Sequence, residues 1–140
     1  MDMQYTLAYW ALAIILLTVL VQQIIASTVK ARQPGAVPGV EPQNAGHADF
    51  VFRAYRTHLN SLENLPVLLG SALLCVLVGA SPLWTGIWLW VFAVARLLHM
   101  WLYYAIGTEK NPSPRSYFFL VGVVATIALP VLAVIALLSR

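Results

Sequence analysis

The sequence has 140 residues, 61% of them hydrophobic and only 9% charged, with a formal net charge of +3. Soluble domains carry about 25% charged residues, so this composition excludes an ordinary soluble enzyme and places the chain in the membrane class. The charge is too small and too dispersed for a nucleic-acid partner. The length suits one domain with no separate soluble module.

A spanning helix needs about 20 largely apolar residues. The first candidate covers residues 5–28, interrupted strongly only by Gln22 and Gln23, and it ends at Lys30 and Arg32. Asp2 stands where a signal peptide would carry basic residues, and no small-residue cleavage site follows, so this run is expected to be retained. Residues 33–49 hold Pro34, Gly35, Pro38, Gly39, Pro42 and Gly46 and are expected to form a loop at the membrane surface.

The second span is expected over residues 50–78. Its first half contains Arg53, Arg56, His58, Asn60, Glu63 and Asn64, and its apolar second half is too short to cross alone. The whole stretch is therefore predicted to be one helix partly buried in protein, with a kink at Pro66. A tight uncharged turn over 79–82 leads to the third span, 83–107. The loop 108–116 carries Glu109, Lys110 and Arg115, and the fourth span, 117–138, is expected to bend at Pro130. The expected fold is all-α: one integral membrane four-helix bundle over residues 1–140. Cys75, the lone cysteine, lies in an apolar run and fits a packing role.

Charge sets the expected orientation. Lys30, Arg32, Arg53, Arg56, Lys110 and Arg115 fall on the side of the first and third loops, and only Arg140 among the basic residues falls on the other, with Asp2. The positive-inside rule puts the two charged loops in the cytoplasm and both termini on the non-cytoplasmic side. Trp10, Trp84, Trp88 and Trp90 fit an outer aromatic belt, and Trp101, Tyr103 and Tyr104 an inner one.

At about 100° per residue, Arg53, Arg56, Asn60, Glu63 and Asn64 share one face of the second helix about 100° wide. Arg96, His99 and Tyr103 make a narrow stripe on the third helix. The second helix enters from the cytoplasmic side and Glu63 lies about 15 Å beyond Arg53, while Arg96 lies about 16 Å before the cytoplasmic end of the third helix. Both stripes thus occupy the same half of the membrane. One Arg or Asp at a helix centre costs about 2.5–3.5 kcal/mol on insertion scales, so Arg56, Glu63 and Arg96 must pair or line a hydrated pocket. An internal salt-bridge network is the simpler account. Arg53, Arg56 and Arg96, with Lys30 and Arg115 at the rim, outnumber the one buried carboxylate, and that surplus suits an anionic ligand with an amine for Glu63.

The segment Arg53-Ala54-Tyr55-Arg56-Thr57-His58-Leu59-Asn60-Ser61-Leu62-Glu63-Asn64-Leu65-Pro66 resembles the signature of the MAPEG family, the membrane-associated proteins in eicosanoid and glutathione metabolism. Arg96, His99 and Tyr103, followed by Arg115 and Ser116, resemble the family's second patch. The resemblance implies a homotrimer of four-helix bundles that binds glutathione at the cytoplasmic side between protomers. It implies glutathione contacts at Arg56, Asn60, Glu63 and Tyr103, with Arg53, Arg96 and His99 in support and Lys30 as the basic residue ending the first helix. Arg115 resembles the arginine proposed to stabilise the glutathione thiolate, although plain spacing from Tyr103 brings Lys110 to that position instead. Asn64 and Leu59 depart from the eicosanoid-synthesising members, which points to a general or prokaryotic-type member.

The implied activity is a glutathione-dependent transferase or peroxidase acting on hydrophobic electrophiles or lipid hydroperoxides, with glutathione as co-substrate and Arg115 and Tyr103 as catalytic residues. A non-catalytic glutathione- or lipid-binding protein on the same scaffold is the alternative. A transporter or channel is the third reading, and stripes offset to one face count against it. His58 lies off the stripe and is expected to pack between helices. His47, in the loop, has no functional pattern, and the three histidines lack metal-ligand spacing, so no metal is expected.

Overall fold

The computed structural model describes residues 3–139; Asp2 and Arg140, the two terminal charges of the orientation argument, lie outside the described residues. A short 3-10 turn, Met3–Tyr5, leads into α1 (Thr6–Ala31), followed by α2 (Phe50–Leu77), α3 (Pro82–Ala105) and α4 (Pro114–Leu138). No strand occurs among the described residues. All four helices are long and apolar enough to cross a membrane.

Local chemistry sets the helix ends. α2 stops in a Schellman arrangement: Ala80 N–H donates to Cys75 O at 2.9 Å and Gly79 N–H to Val76 O at 3.2 Å. Gly79 has φ +65°, a left-handed value that a glycine adopts without Cβ strain. α3 opens with Pro82 in its first turn, and the Ser81 hydroxyl accepts from Trp84 N–H at 3.5 Å. α4 opens on Pro114, three residues before the expected 117, because Ser113 N–H donates to Ser116 Oγ at 3.2 Å. Arg115 therefore belongs to the first turn of α4 rather than to the loop. α1 runs on to Ala31, so Lys30 sits on its last turn.

α1 packs on α2 and α3, and α4 packs on the same two helices, so the inner pair α2–α3 holds the bundle together. Small residues let the backbones approach: Ala8 and Ala11 of α1, Ala72 and Cys75 of α2, Ala93 of α3, and Ala125 and Ala133 of α4 are all buried. Leu68, Leu89, Phe92 and Leu129 fill the space between them. The Cys75 thiol donates to Leu129 O at 3.2 Å, in keeping with a packing role. Elsewhere the surface is apolar, with Leu17, Leu20, Ile24, Leu73, Leu77, Val124 and Ile127 exposed, as lipid solvation requires.

The two ends of the bundle differ. At one, Tyr5 OH donates to Ala80 O and Trp90 Nε1–H to Leu7 O at 3.1 Å, joining the start of α1 to the α2–α3 turn and to α3. At the other, the loop before α2 meets the end of α3. Arg53 Nη1 donates to His47 O at 2.8 Å and Ala48 O at 2.6 Å, and Nη2 reaches Tyr104 O at 3.4 Å. Lys30 Nζ ties the same loop to α1 through Val37 O at 3.2 Å and Val40 O at 2.7 Å. Of the residues expected in an aromatic belt, Trp10, Trp84 and Trp101 are exposed, whereas Tyr103 is only 5% exposed and faces inward.

Gly107 lies where this loop crosses the end of α3. A Cβ there would sit 2.7 Å from His47 O and 3.0 Å from Arg53 Nη1. Gly107→Ala should therefore lower stability by about 1–3 kcal/mol, the usual cost of overpacking, and should speed amide exchange in residues 44–49. Thermal unfolding in detergent and hydrogen exchange check this; unchanged exchange in the loop would show that Gly107 does not fix it.

Candidate functional site

The polar face of α2 is divided between two surfaces. Arg56 and Glu63, two helical turns apart, form an ion pair at 3.8 Å on the outside of the bundle, with side chains 38% and 57% exposed. That separation is long for a charge-assisted hydrogen bond, which runs about 2.7–2.9 Å, so Arg56 keeps donors free for another anion. Asn60 lies between them with a buried Oδ1 that has no partner, and Asn64 turns its amide back to Asn60 O at 2.7 Å.

The stripe on α3 points inward. Arg96 is 4% exposed; its Nη2 donates to Ser61 Oγ on α2 at 3.1 Å and its Nε has no partner. One turn on, His99 is equally buried, with Nδ1 unpaired and its ring edge-on to Tyr103 at 5.8 Å. The first turn of α4 brings Arg115 to the same place, with its guanidinium carbon 3.9 Å from the centroid of the Tyr103 ring, a cation–π contact that needs no carboxylate.

These groups meet in a pocket of about 330 Å³ between α2, α3 and α4, at the end of the bundle that carries the charged loops. Arg56, Asn60, His99, Tyr103 and Arg115 line it, together with Phe52, Ser116 and Phe119. Its size lies at the lower end of small-molecule sites, about 300–1,000 Å³. Of the predicted site residues, the pocket gathers these five. Glu63 stands beside Arg56 without lining it. Arg96 lies in the interior against Ser61, Arg53 is committed to loop carbonyls, and Lys30 is committed to the loop before α2. Between the two candidates for the same role, the pocket holds Arg115 and not Lys110.

Four lining residues lie outside the predicted set: Phe52 and Phe119, which are apolar, and the polar Ser116 and His47. Ser116 follows Arg115 and caps α4. His47 comes from the loop, where no helical period exists to place a side chain; its Nδ1 lies 3.1 Å from the Tyr103 hydroxyl. The only sequence signal for it is Arg53, whose guanidinium needs acceptors that an upstream loop supplies.

The profile of the MAPEG family matches residues 7–135, nearly the whole chain, and the chain belongs to that family. The family is generally associated with glutathione, and its members include glutathione transferases and peroxidases as well as non-catalytic proteins. Neither the curated proteins nor the solved structures gave a match.

Ser61 is the hydrogen-bond partner of the buried Arg96 guanidinium. Ser61→Ala should lower stability by about 1–3 kcal/mol, the cost of leaving a buried charged donor unmet, read as a drop in the unfolding midpoint in detergent. A midpoint equal to wild type would show that Arg96 is satisfied by another group.

Proposed function

We propose that this chain is a membrane-bound glutathione transferase or peroxidase whose glutathione occupies the pocket of Arg56, Asn60, Tyr103 and Arg115, and whose substrates are hydrophobic electrophiles or lipid hydroperoxides reached from the bilayer. The observation that carries the reading is the meeting of two guanidinium groups without full neutralisation, Arg56 and Arg115, in one pocket of a chain from a glutathione-associated family. Glutathione has two carboxylates, an α-amine and a thiol. Arg56 and Asn60 suit a carboxylate, Glu63 beside them suits the amine, and Arg115 with Tyr103 suits the sulfur.

A thiol of pKa about 8.5 is mostly protonated at neutral pH. A guanidinium and a phenolic hydroxyl at the sulfur favour the thiolate, and the same groups fix it for attack. In transfer, the thiolate forms a bond to the electrophilic carbon and the leaving group departs with its electron pair. In peroxide reduction, the thiolate attacks one peroxide oxygen and the other leaves as an alcohol; a second glutathione then converts the sulfenic product to the disulfide and water. Glutathione supplies the nucleophile, and the protein supplies position and charge.

The same geometry supports assembly with further copies of the chain, in the homotrimer that the family resemblance implies. Arg56 and Glu63 lie about 9 and 20 Å from the start of α2, within a membrane-capable helix, yet they are half-exposed on the surface of one chain. Lipid solvates such groups poorly. A neighbouring protomer covering α2 would shield them and complete the wall of the pocket. The cluster of Lys30, Arg53, Arg56 and Arg115 at this end favours placing it in the cytoplasm, with both termini on the other side.

Glu63→Gln should weaken glutathione binding about 10- to 100-fold, the scale of a charged hydrogen bond, by isothermal titration; equal affinity would remove Glu63 from the site. Arg115→Gln should lower turnover of a chloronitrobenzene or a lipid hydroperoxide about 100-fold or more, the scale of losing one charge-stabilising donor. Its affinity for S-methylglutathione, which has no ionisable thiol, should be unchanged. Wild-type protein that binds glutathione without turnover of either substrate would identify the non-catalytic member of the family instead.

A further inference from the structure

His47 has no role in the mechanism above, yet it is fixed more firmly than a surface-loop histidine needs to be. Its backbone carbonyl and that of Ala48 both accept from Arg53 Nη1, and Gly107 leaves no room beneath the His47 carbonyl. Asp49 closes the turn from the other side, accepting from Gly46 N–H at 2.9 Å through Oδ2 and donating N–H to Gly46 O at 2.8 Å. The imidazole stacks against Tyr103 with centroids 5.8 Å apart and meets the Phe52 ring edge-on at 5.0 Å. Its Nδ1 lies 3.1 Å from the Tyr103 hydroxyl oxygen, and both residues line the pocket.

The direction of that hydrogen bond decides what Tyr103 can do. A phenol has one proton to give and can accept through oxygen. If Tyr103 donates to His47, its proton is used there and only lone pairs face the pocket, which would repel a thiolate. If His47 carries its proton on Nδ1 and donates to the Tyr103 oxygen, the Tyr103 proton is free to point at the sulfur. An anion in the pocket favours the second arrangement, because each donor in the chain then points toward negative charge.

We propose that His47 is a positioning residue of the glutathione site, donating from Nδ1 to the Tyr103 hydroxyl so that Tyr103 donates in turn to the sulfur, and that the loop before α2 is thereby part of the reaction centre. This rests on the reading of the pocket as the glutathione site. His47 does not touch the sulfur and takes no proton from it; it sets the orientation of the group that does touch it. Arg53 acts at one further remove, holding the loop that holds His47.

Substitutions at position 47, alone and with Tyr103→Phe, test this in the purified protein in detergent. His47→Phe keeps the ring contacts and removes the donor; His47→Asn places an amide donor at about the reach of Nδ1. The ultraviolet absorbance of bound thiolate and turnover of a chloronitrobenzene should both fall about tenfold in H47F, the scale of one hydrogen bond in a catalytic array, and should largely recover in H47N. Affinity for S-methylglutathione should stay at the wild-type value in both, and H47F combined with Y103F should be no worse than Y103F alone. Wild-type thiolate absorbance in H47F, equal losses in H47N and H47F, or additive losses in the double variant would overturn the proposal. If the H47F melting temperature shows that it does not fold, His47→Leu, which also lacks a donor, takes its place. Wild-type protein that binds no glutathione would end the reading of the pocket and this inference together. Normal binding and turnover, lowered in Y103F but not in H47F, would end the inference alone.

Discussion

A guanidinium does not lose its proton under biological conditions, so each arginine placed within a hydrocarbon layer has to find something other than lipid to hold it. The chain solves this four times in four ways. Arg53 takes three backbone carbonyls, two from the preceding loop and one from the end of α3. Arg96 is enclosed between α2 and α3 on the Ser61 hydroxyl. Arg56 leans on Glu63 at a loose 3.8 Å. Arg115 lies against the π-face of Tyr103. The first two arrangements tie the side chain into the framework of the fold, although the Nε of each has no partner. The last two leave much of the hydrogen-bonding capacity unspent, and both of those arginines line the pocket.

That division separates the framework from the chemistry. Arg53 and Lys30 organise the loop before α2, and Arg96 fixes how α2 and α3 face each other across the bundle. With the framework set, Arg56, Asn60, Tyr103 and Arg115 are brought from three helices to one cavity, at the end where the basic residues gather. A pocket at a bundle end, open to the loops and set beside an apolar surface, suits the proposed reaction of a water-soluble thiol with a lipid-soluble partner. The proposed neighbouring protomer would cover the half-exposed Arg56–Glu63 pair, so the same charges that argue for a ligand also argue for assembly.

The site also depends on backbone details. Arg115 reaches Tyr103 because α4 begins at Pro114, and α4 begins there because Ser113 and Ser116 cap it. His47 reaches Tyr103 because Arg53 and Gly107 fix the loop. Of these residues only Arg53 belongs to the polar face of α2, yet moving any of them would displace a group that lines the pocket.

The sequence by itself determined the membrane character and the four helices, because apolar length and Pro/Gly punctuation act locally. It also determined which side chains share the polar face of α2 and the stripe of α3, because one angle per residue converts spacing into direction. A direction, however, does not name a partner. Arg53, Arg56 and Arg96 looked equivalent as members of cationic stripes, and only the packing of α2 against α3 and the loop gave them carbonyls, a carboxylate and a hydroxyl respectively. That Arg115 and not Lys110 lines the pocket depends on where α4 starts. His47 was invisible because a loop has no period: its position follows from contacts between residues 6 and 56 places apart in the chain, and only the folded chain brings those together.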